Sequence, residues 1–530
     1  MVILNDKSQG NKNAMKNFNQ TKKHILSCAL PALVFGIFSG AVSATVVTAY
    51  KWFAKNSVAI SEKAYHFLSN NYIYIPVAIA ILFFASIIFA RIYRKAPNLQ
   101  GGGIPTSIGA MRGYFSLDPL TNAVGAFCLS LISFLLGIPL GTEGPSVQIG
   151  TAVGSSLVKS SRKKWHAWNR FSMTGGASAG FSVATGAPIS SILFSIEEAH
   201  QRVSSLIIFI SMVSVLSASI VSNLLSPILG VEKSLFSFEI FDELSLDNIW
   251  IPLTIGLFMG IFALIFLKGY KILHHIHKKA VKRFSQNTRI FTVMLLTLIF
   301  GIVSYSFIST GHHFTLSLVN SSPAALMLFA IIIVRSVLTI SANLNGITGG
   351  IFLPLLAIGA TACALLAKGM VAAGMDPQYT TIVLALGICG TVAGMMKMPL
   401  TAILFGIEAL GLSNNILAVI ITATIAFFIP EIAGENSISE SVLENRIEYI
   451  LSNKENRQGE MKVTIEKGSF AIGKEVRDIF WPNGVFVSSI EHIRSGPLFH
   501  QGDTLVISYN TRDFDEMEKE IFAITKCAYK

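Results

Sequence analysis

Residues 141–150 read G-T-E-G-P-S-V-Q-I-G, and residues 350–359 read G-I-F-L-P-L-L-A-I-G. Glycine, proline, isoleucine and glycine recur in one frame, at an offset of 350 − 141 = 209 residues. A second pair keeps nearly the same spacing: P-I-S-S-I-L-F-S-I-E-E-A from Pro188 and P-L-T-A-I-L-F-G-I-E-A-L from Pro399, with 399 − 188 = 211. Two matched pairs at one spacing mark an internal duplication. In a membrane protein, apolar segments interrupted by glycine and proline in both halves point to a central binding site between the repeats.

Composition supplies the membrane. The chain is 52% hydrophobic and 13% charged, against roughly 25% charged for soluble domains. Residues 26–50, 73–90, 203–231, 248–267 and 290–334 contain no Asp, Glu, Lys or Arg, and a run of about 18 apolar residues suffices to cross the hydrocarbon core. The stretches 349–367 and 380–396 are apolar but rich in small residues. They are expected to be short or broken helices, which lipid tolerates only when they are buried in protein or line a cavity.

Basic residues orient the chain. Lys12, Lys16, Lys22 and Lys23 precede the first span, Arg91, Arg94 and Lys95 follow the second, and later loops hold Arg162, Lys163, Lys164 and Arg170, then Lys278, Lys279, Lys282 and Arg283. The loop near 232–247 is instead acidic, with Glu232, Glu239, Asp242, Glu243 and Asp247. Basic loops stay on the cytoplasmic side, so the N-terminus and the basic loops are placed inside and the acidic loop outside. The net charge of +11 is mostly this bias; it needs no nucleic-acid partner, and a basic face favours anion access. Residues 1–20 read as a cytoplasmic segment with no cleavage site, followed by an apolar run too long for a signal peptide. Five scattered cysteines (Cys28, Cys128, Cys363, Cys389, Cys527) form neither a disulfide framework nor a zinc pattern.

Gly101-Gly102-Gly103-Ile104-Pro105 opens a short segment, Thr106 to Met111, and has the same form as Gly141–Pro145 and Gly349–Pro354. Glycine lets backbone approach a ligand and proline suits a first helical turn. Each such helix start offers unpaired N–H groups and roughly half a positive charge. Several aimed at the membrane centre would hold a partly dehydrated anion without a full cation. Glu143 is the one charged residue between 119 and 158, and a charge deep in the bilayer costs at least about 2.5–3.5 kcal/mol, which makes it a functional candidate. Ionised, its carboxylate can take the anion's place at a helix start; protonated, it can leave, coupling anion to proton movement. Glu197 and Glu408 occupy the same position in the two copies, which predicts a shared structural task such as capping or helix pairing. Glu198 aligns with Ala409 and is the candidate proton-handling carboxylate. Arg335 is expected to be a buried structural charge or a helix-end residue, and His274, His275 and His277 a solvated flank rather than a metal site.

Together G-G-G-I-P at 101–105, G-T-E-G-P at 141–145, I-E-E at 196–198 and G-I-F-L-P at 350–354 resemble the CLC family of chloride channels and chloride/proton exchangers, over roughly residues 20–450. The resemblance implies an α-helical polytopic membrane protein, an inverted repeat with broken helices, assembled as a homodimer with one anion pathway per subunit. It implies that Glu143 is the gating glutamate and Glu198 the internal proton glutamate. It implies further that the N–H groups of Ile351 and Phe352 help hold a central chloride and those of Gly101 and Gly102 line the inner site, with Gly103 and Ser439 also among the anion-binding positions. Two positions depart from the family. Gly102 stands where serine is usual, and Ser439, in G-E-N-S-I-S from Gly434, stands where a tyrosine is usual. Each hydrogen bond to a charged group is worth about 1.5–3 kcal/mol. Weaker anion binding, looser coupling or altered selectivity is therefore expected, with nitrate and fluoride as alternative anions.

The domains expected are a membrane domain at 21–450 (repeats about 21–231 and 248–450), a polar linker at 451–460 and a small α/β cytoplasmic domain at 461–530. In the last, V-T-I-E, V-F-V-S-S-I and T-L-V-I-S-Y read as strands, and Lys474–Phe480 and Asp513–Phe522 as helices. It resembles the TrkA-C (RCK-C) domain, with Gly473, Gly502 and Asp503 at its turns, which implies dimerisation and, in several transport systems, sensing of small cytosolic ligands such as cyclic dinucleotides. His492 and Arg494 are candidate contacts. No cofactor, metal site, P-loop or catalytic triad is expected, so an enzyme is not. The leading reading is a chloride/proton antiporter in a bacterial plasma membrane with both termini cytoplasmic. The alternatives are a passive channel gated by Glu143, and a ligand-sensing protein whose transport is altered or lost.

Overall fold

The computed structural model describes residues 3–161, 163–236, 238, 243–450, 455–492 and 497–526, with side chains from Ala29 onward except those of Lys163, Lys164, Tyr449, Ile450 and Arg477. Arg162, Glu239, Asp242, Arg494 and Cys527 lie outside the described residues, as do the side chains of Lys12, Lys16, Lys22, Lys23 and Cys28.

The first half runs through α1 (Ile3–Asn70), α2 (Ile75–Lys95), the short α3 (Ile104–Arg112), α4 (Pro119–Leu135), α5 (Glu143–Lys159), α6 (Asn169–Thr185), α7 (Pro188–Phe194) and α8 (Ser205–Leu229). A π-helical turn, Ser195–His200, continues α7. The second half runs through α9 (Trp250–Arg283), α10 (Gln286–Val303), α11 (His312–Asn320), α12 (Ala325–Leu344), α13 (Phe352–Ala372), α14 (Thr380–Met395), α15 (Pro399–Ala409), α16 (Ile416–Ile432) and α17 (Ile438–Ile450). Among the described residues, nine helices are long and apolar enough to cross a membrane. Local signals set several starts. Asp118 caps α4 by accepting from the Thr121 N–H at 2.9 Å, with Pro119 in the first turn. Ser285 caps α10 through the Thr288 N–H at 3.2 Å.

Small residues bring the inner helices together. Gly150 of α5 and Gly176 of α6 face each other so closely that a Cβ on either would strike the other's carbonyl, the close backbone approach typical of helix pairs in lipid. Two expectations are corrected here. Residues 349–367 and 380–396 are not short or broken helices: α13 has 21 residues and, with the turn before it, the α14 segment has 19, both long enough to span. Their glycines serve packing instead. A Cβ at Gly359 would strike Thr391, and one at Gly387 would strike Cys363. Both helices are largely enclosed by the rest of the protein.

The tail is a three-stranded antiparallel sheet, order β1-β3-β2, with β1 at Arg457–Thr464, β2 at Val485–Glu491 and β3 at Thr504–Thr511. Val463 pairs with Leu505 and Val487 with Ile507. Helix α18 (Phe514–Thr525) packs Met517, Ile521 and Ile524 into a core with Val463, Leu505, Ile507 and Phe499. The strand begins at Arg457, inside the stretch expected to be linker, because Arg457–Glu460 complete the ladder against Thr511–Ser508. Of the helix expected at Lys474–Phe480, only a 3₁₀ turn at Val476–Asp478 forms, closed by a Glu475/Asp478 capping pair. Pro482 follows directly and Ile479 is already extended.

Candidate functional site

The three glycine loops converge. Gly141 N–H donates to Gly350 O at 2.6 Å and Gly350 N–H returns to Gly141 O at 2.8 Å, an isolated antiparallel bridge between the two motif copies. The first loop docks on the same point: Gly101 N–H donates to Gly346 O at 3.0 Å and Gly349 N–H to Gly101 O at 3.4 Å. Gly103, at φ +74°, lies so close to Gly144 that any Cβ would overlap its carbonyl. Only glycine serves there, for its positive φ and for its lack of a side chain. Helices α3, α5 and α13 therefore begin side by side. The first-turn N–H groups of α5 and α13 have no carbonyl one turn back to receive them, so Glu143, Gly144, Phe352 and Leu353 present donors. Of the residues expected at the inner site, Gly101 has its N–H engaged by Gly346 O and Gly102 is buried beside it, as is Gly103.

Glu143 is wholly buried at this junction. Thr142 Oγ1 donates to its Oε1 at 2.9 Å. Its Oε2 rests against Gly141 and the start of α13 and has no hydrogen-bond partner. A cavity of about 120 Å³ opens beyond Thr142 and Leu353, lined also by Lys51, Lys55, Glu232, His312 and His313. Lys51 Nζ is held there by the carbonyls of Val183 and Glu232, both at 2.9 Å. Glu143 thus stands between that mouth and the glycine loops. Phe352, its counterpart in the second copy, is buried with its ring edge-on to Phe181 at 5.2 Å and to Phe405 at 6.0 Å.

Glu198 is buried in the π-helical turn after α7. Arg112, at the end of α3, holds that turn in place. Its Nη2 donates to Glu198 O and its Nε to Ala199 O, both at 2.9 Å, while its Nη1 pairs with Glu440 of α17 at 2.9 Å. Ser439, on the first turn of α17, is buried and its hydroxyl neighbours the Glu198 carboxyl. It stands beside the proton glutamate candidate, and its neighbour Ile438 lines a small cavity with Asn343 and Ile351.

Glu197 and Glu408 perform the shared task expected of them. Glu197 accepts from the N–H groups of Leu400 (3.0 Å) and Thr401 (2.7 Å) and from the Thr401 hydroxyl (2.7 Å), capping α15. Glu408 accepts from the N–H groups of Ile189 and Ser190 and from the Ser190 hydroxyl, all at 2.8 Å, capping α7. Each copy caps the other. Arg335 is a buried structural charge, clamping the carbonyls of Ser306, Ile308 and Ser309 at 2.8–2.9 Å.

Three polar residues of the site were not singled out from the sequence. Arg112 is one. Arg446 of α17 is buried under the first loop, bonding the carbonyls of Gln100 and Pro97. Asn343, at the end of α12, is 6% exposed and points Nδ2 at Gly102 without an acceptor. A polar residue at the end of a largely apolar helix was the available signal for Asn343.

The tail sheet domain packs against α6 and the stretch after the π-helical turn. Phe480 stacks on Phe171 (4.3 Å) and on His200 (4.6 Å), with Arg202 4.4 Å above its ring. Arg170 bonds the carbonyls of Phe480 and Trp481 and pairs with Glu520. His492 pairs instead with the buried Asp503 at 2.9 Å, inside the tail.

The sequence profile described as "Voltage gated chloride channel" matches residues 81–431. Among solved structures, this chain is similar to a slow cyanobacterial Cl⁻/H⁺ antiporter, at 23% identity and a TM-score of 0.70, covering 78% of this chain and 98% of that one. It is similar to a CLC-type fluoride/proton antiporter at 22% identity and a TM-score of 0.64, covering 76% and 95%. It is similar to a eukaryotic CLC transporter at 17% identity and a TM-score of 0.63, covering 78% and 74%. At these identities the likeness is one of fold.

Proposed function

The chain belongs to the voltage-gated chloride channel family, and from that premise we propose that it exchanges chloride for protons across a bacterial plasma membrane, as a homodimer with both termini cytoplasmic. Glu143 is the gate and Glu198 the inner proton-transfer carboxylate. The observation that carries this reading is the Glu143 carboxylate, buried with Oε2 unpartnered where α5 and α13 begin. There it faces the helix ends whose N–H groups and dipoles would hold a free anion in its place. Protonation removes its claim on those donors, an anion replaces it, and the proton moves with the side chain. Glu198, buried and held by Arg112 at the tail-side end, is placed to pass protons to and from that side. Two of the similar structures are described as proton-coupled antiporters, for chloride and for fluoride, which supports exchange over a passive channel.

Purified protein in liposomes under opposed gradients tests this. A chloride gradient should drive protons uphill. Chloride flux without uphill proton movement would leave only the passive channel, and no anion flux would sink both readings.

The tail supports a second element: a TrkA-C-like module that senses a small cytosolic ligand and acts on transport. Phe480 stacks on His200, two residues past Glu198, so movement of the tail bears directly on the proton carboxylate's turn. Titrating the full-length protein with a panel of nucleotides and cyclic dinucleotides should raise Tm and change flux for one of them. If none of the panel does either, the tail is a passive dock.

A further inference from the structure

The side-chain environment of Gly102 is incomplete in a specific way. Gly102 has no side chain, and the N–H of its neighbour Gly101 is already bonded to Gly346. The space where a Cβ of residue 102 would lie is met, at 3.4 Å, by Asn343 Nδ2. Asn343 is 6% exposed, yet that nitrogen has no acceptor. Gly349 O lies 3.7 Å from the same Cβ position, and Nδ2 makes no hydrogen bond to it or to any other protein group. Buried donors without a protein partner are rare, and one aimed into a candidate site points to a ligand there. A cavity of about 10 Å³, bounded by Asn343, Ile351 and Ile438 among others, adjoins it. The opening groups of α5 and α13 also present N–H donors at this junction. The carboxamide nitrogen and the helix-start N–H groups gather donors at this junction, which favours an anion over a cation.

We propose that the Asn343 carboxamide is a direct ligand of the transported anion, donating from Nδ2 beside Gly102 and setting the site's affinity and anion preference. The inference rests on the anion-transport reading above. It makes α12, which belongs to the second repeat but to neither motif copy, part of the binding site. A carboxamide donor is neutral, so it holds the anion without the tight grip of a lysine.

Chloride affinity is measured on the purified full-length protein by calorimetry and by the chloride-dependent rise in Tm. Asn343→Leu keeps the volume and removes the donor. Chloride affinity should fall about tenfold or more, the loss of one hydrogen bond to a charged group. Tm in chloride-free buffer should hold or rise, because an unpaired buried donor has been removed. Asn343→Asp faces the anion with a carboxylate and should abolish the chloride-dependent rise; being isosteric, it also serves if the leucine variant misfolds. Adding Gly102→Ser to Asn343→Leu should restore part of the affinity. Unchanged chloride affinity in both single variants would overturn the proposal and leave Nδ2 to a bound water. So would a loss of affinity matched by an equal fall of Tm in chloride-free buffer, which marks a structural role. A wild-type protein that binds none of chloride, nitrate or fluoride would overturn the transport reading and this inference with it.

Discussion

At Gly141 and Gly350 the two halves of the molecule do the same thing: each N–H bonds the other's carbonyl. Two residues later they part. The first copy places a carboxylate at the start of α5, and the second places Phe352, its ring wedged edge-on against Phe181 and Phe405. The second motif repeats this logic. Glu197 and Glu408 cap each other's helices with matching bonds, while the next residue is Glu198 in one copy and Ala409 in the other. Duplication copied the backbone, and with it the paired helix starts at the centre. The two candidate proton carboxylates, Glu143 and Glu198, sit in one copy only, and around Glu198 that copy turns π-helical at Ser195–His200 where its counterpart α15 stays α-helical to Ala409. Carboxylates in both copies would set like charges against one centre and disfavour ionisation of each. With none, the site would not respond to protons.

The sharpest way to break this comparison is to make the first copy resemble the second. Glu143→Ala removes the group that competes with the anion. Chloride flux through liposomes should lose its pH dependence, and uphill proton movement should vanish. Glu198→Ala makes the second motif match its copy. It should abolish proton movement in the same assay while anion flux continues, because the glycine loops are untouched. If Glu143→Ala is inert and still pH-sensitive, the gate lies elsewhere. If Glu198→Ala still pumps protons, the π-helical turn is a structural feature and not a proton station.

Much of this asymmetry was readable before the structure because it is local in sequence. Repeated glycine-proline spacing, an isolated glutamate in an apolar run and a glutamate shared by both copies all lie within short windows, and they located the helix starts, Glu143 and the reciprocal caps. What escaped was long-range. Arg112 meets Glu440 across 328 residues, Arg446 meets Gln100 across 346, and Asn343 reaches Gly102 from another helix. None of these residues carries a pattern of its own, so only the fold brings them to the site. The glycines of α13 and α14 misled for a related reason. Small residues signal both broken helices and close packing, and the choice depends on what lies opposite, here Thr391 and Cys363. In the tail, Lys474–Phe480 has helical composition, but Pro482 and the extended Ile479 stop it after one turn.

A smaller effect tests the symmetric side of the comparison. Glu197 and Glu408 are each half-buried, and each accepts three hydrogen bonds at the start of the other copy's helix. Glu197→Ala and Glu408→Ala should therefore destabilise the purified protein by similar amounts, about 2 kcal/mol each, from the loss of a charged cap. Glu408→Gln, which keeps one acceptor oxygen, should fall between wild type and alanine. Thermal unfolding at fixed pH and chloride measures all three. Because α7 and α15 pack on each other and exchange these caps, the double alanine variant should lose less than the sum: once one helix start is released, the other's cap has a less fixed partner to bond. A large loss from one substitution and none from the other would mean that the two copies share a sequence position without sharing its work. The division into a symmetric scaffold and a one-sided chemistry would then fail at its structural half.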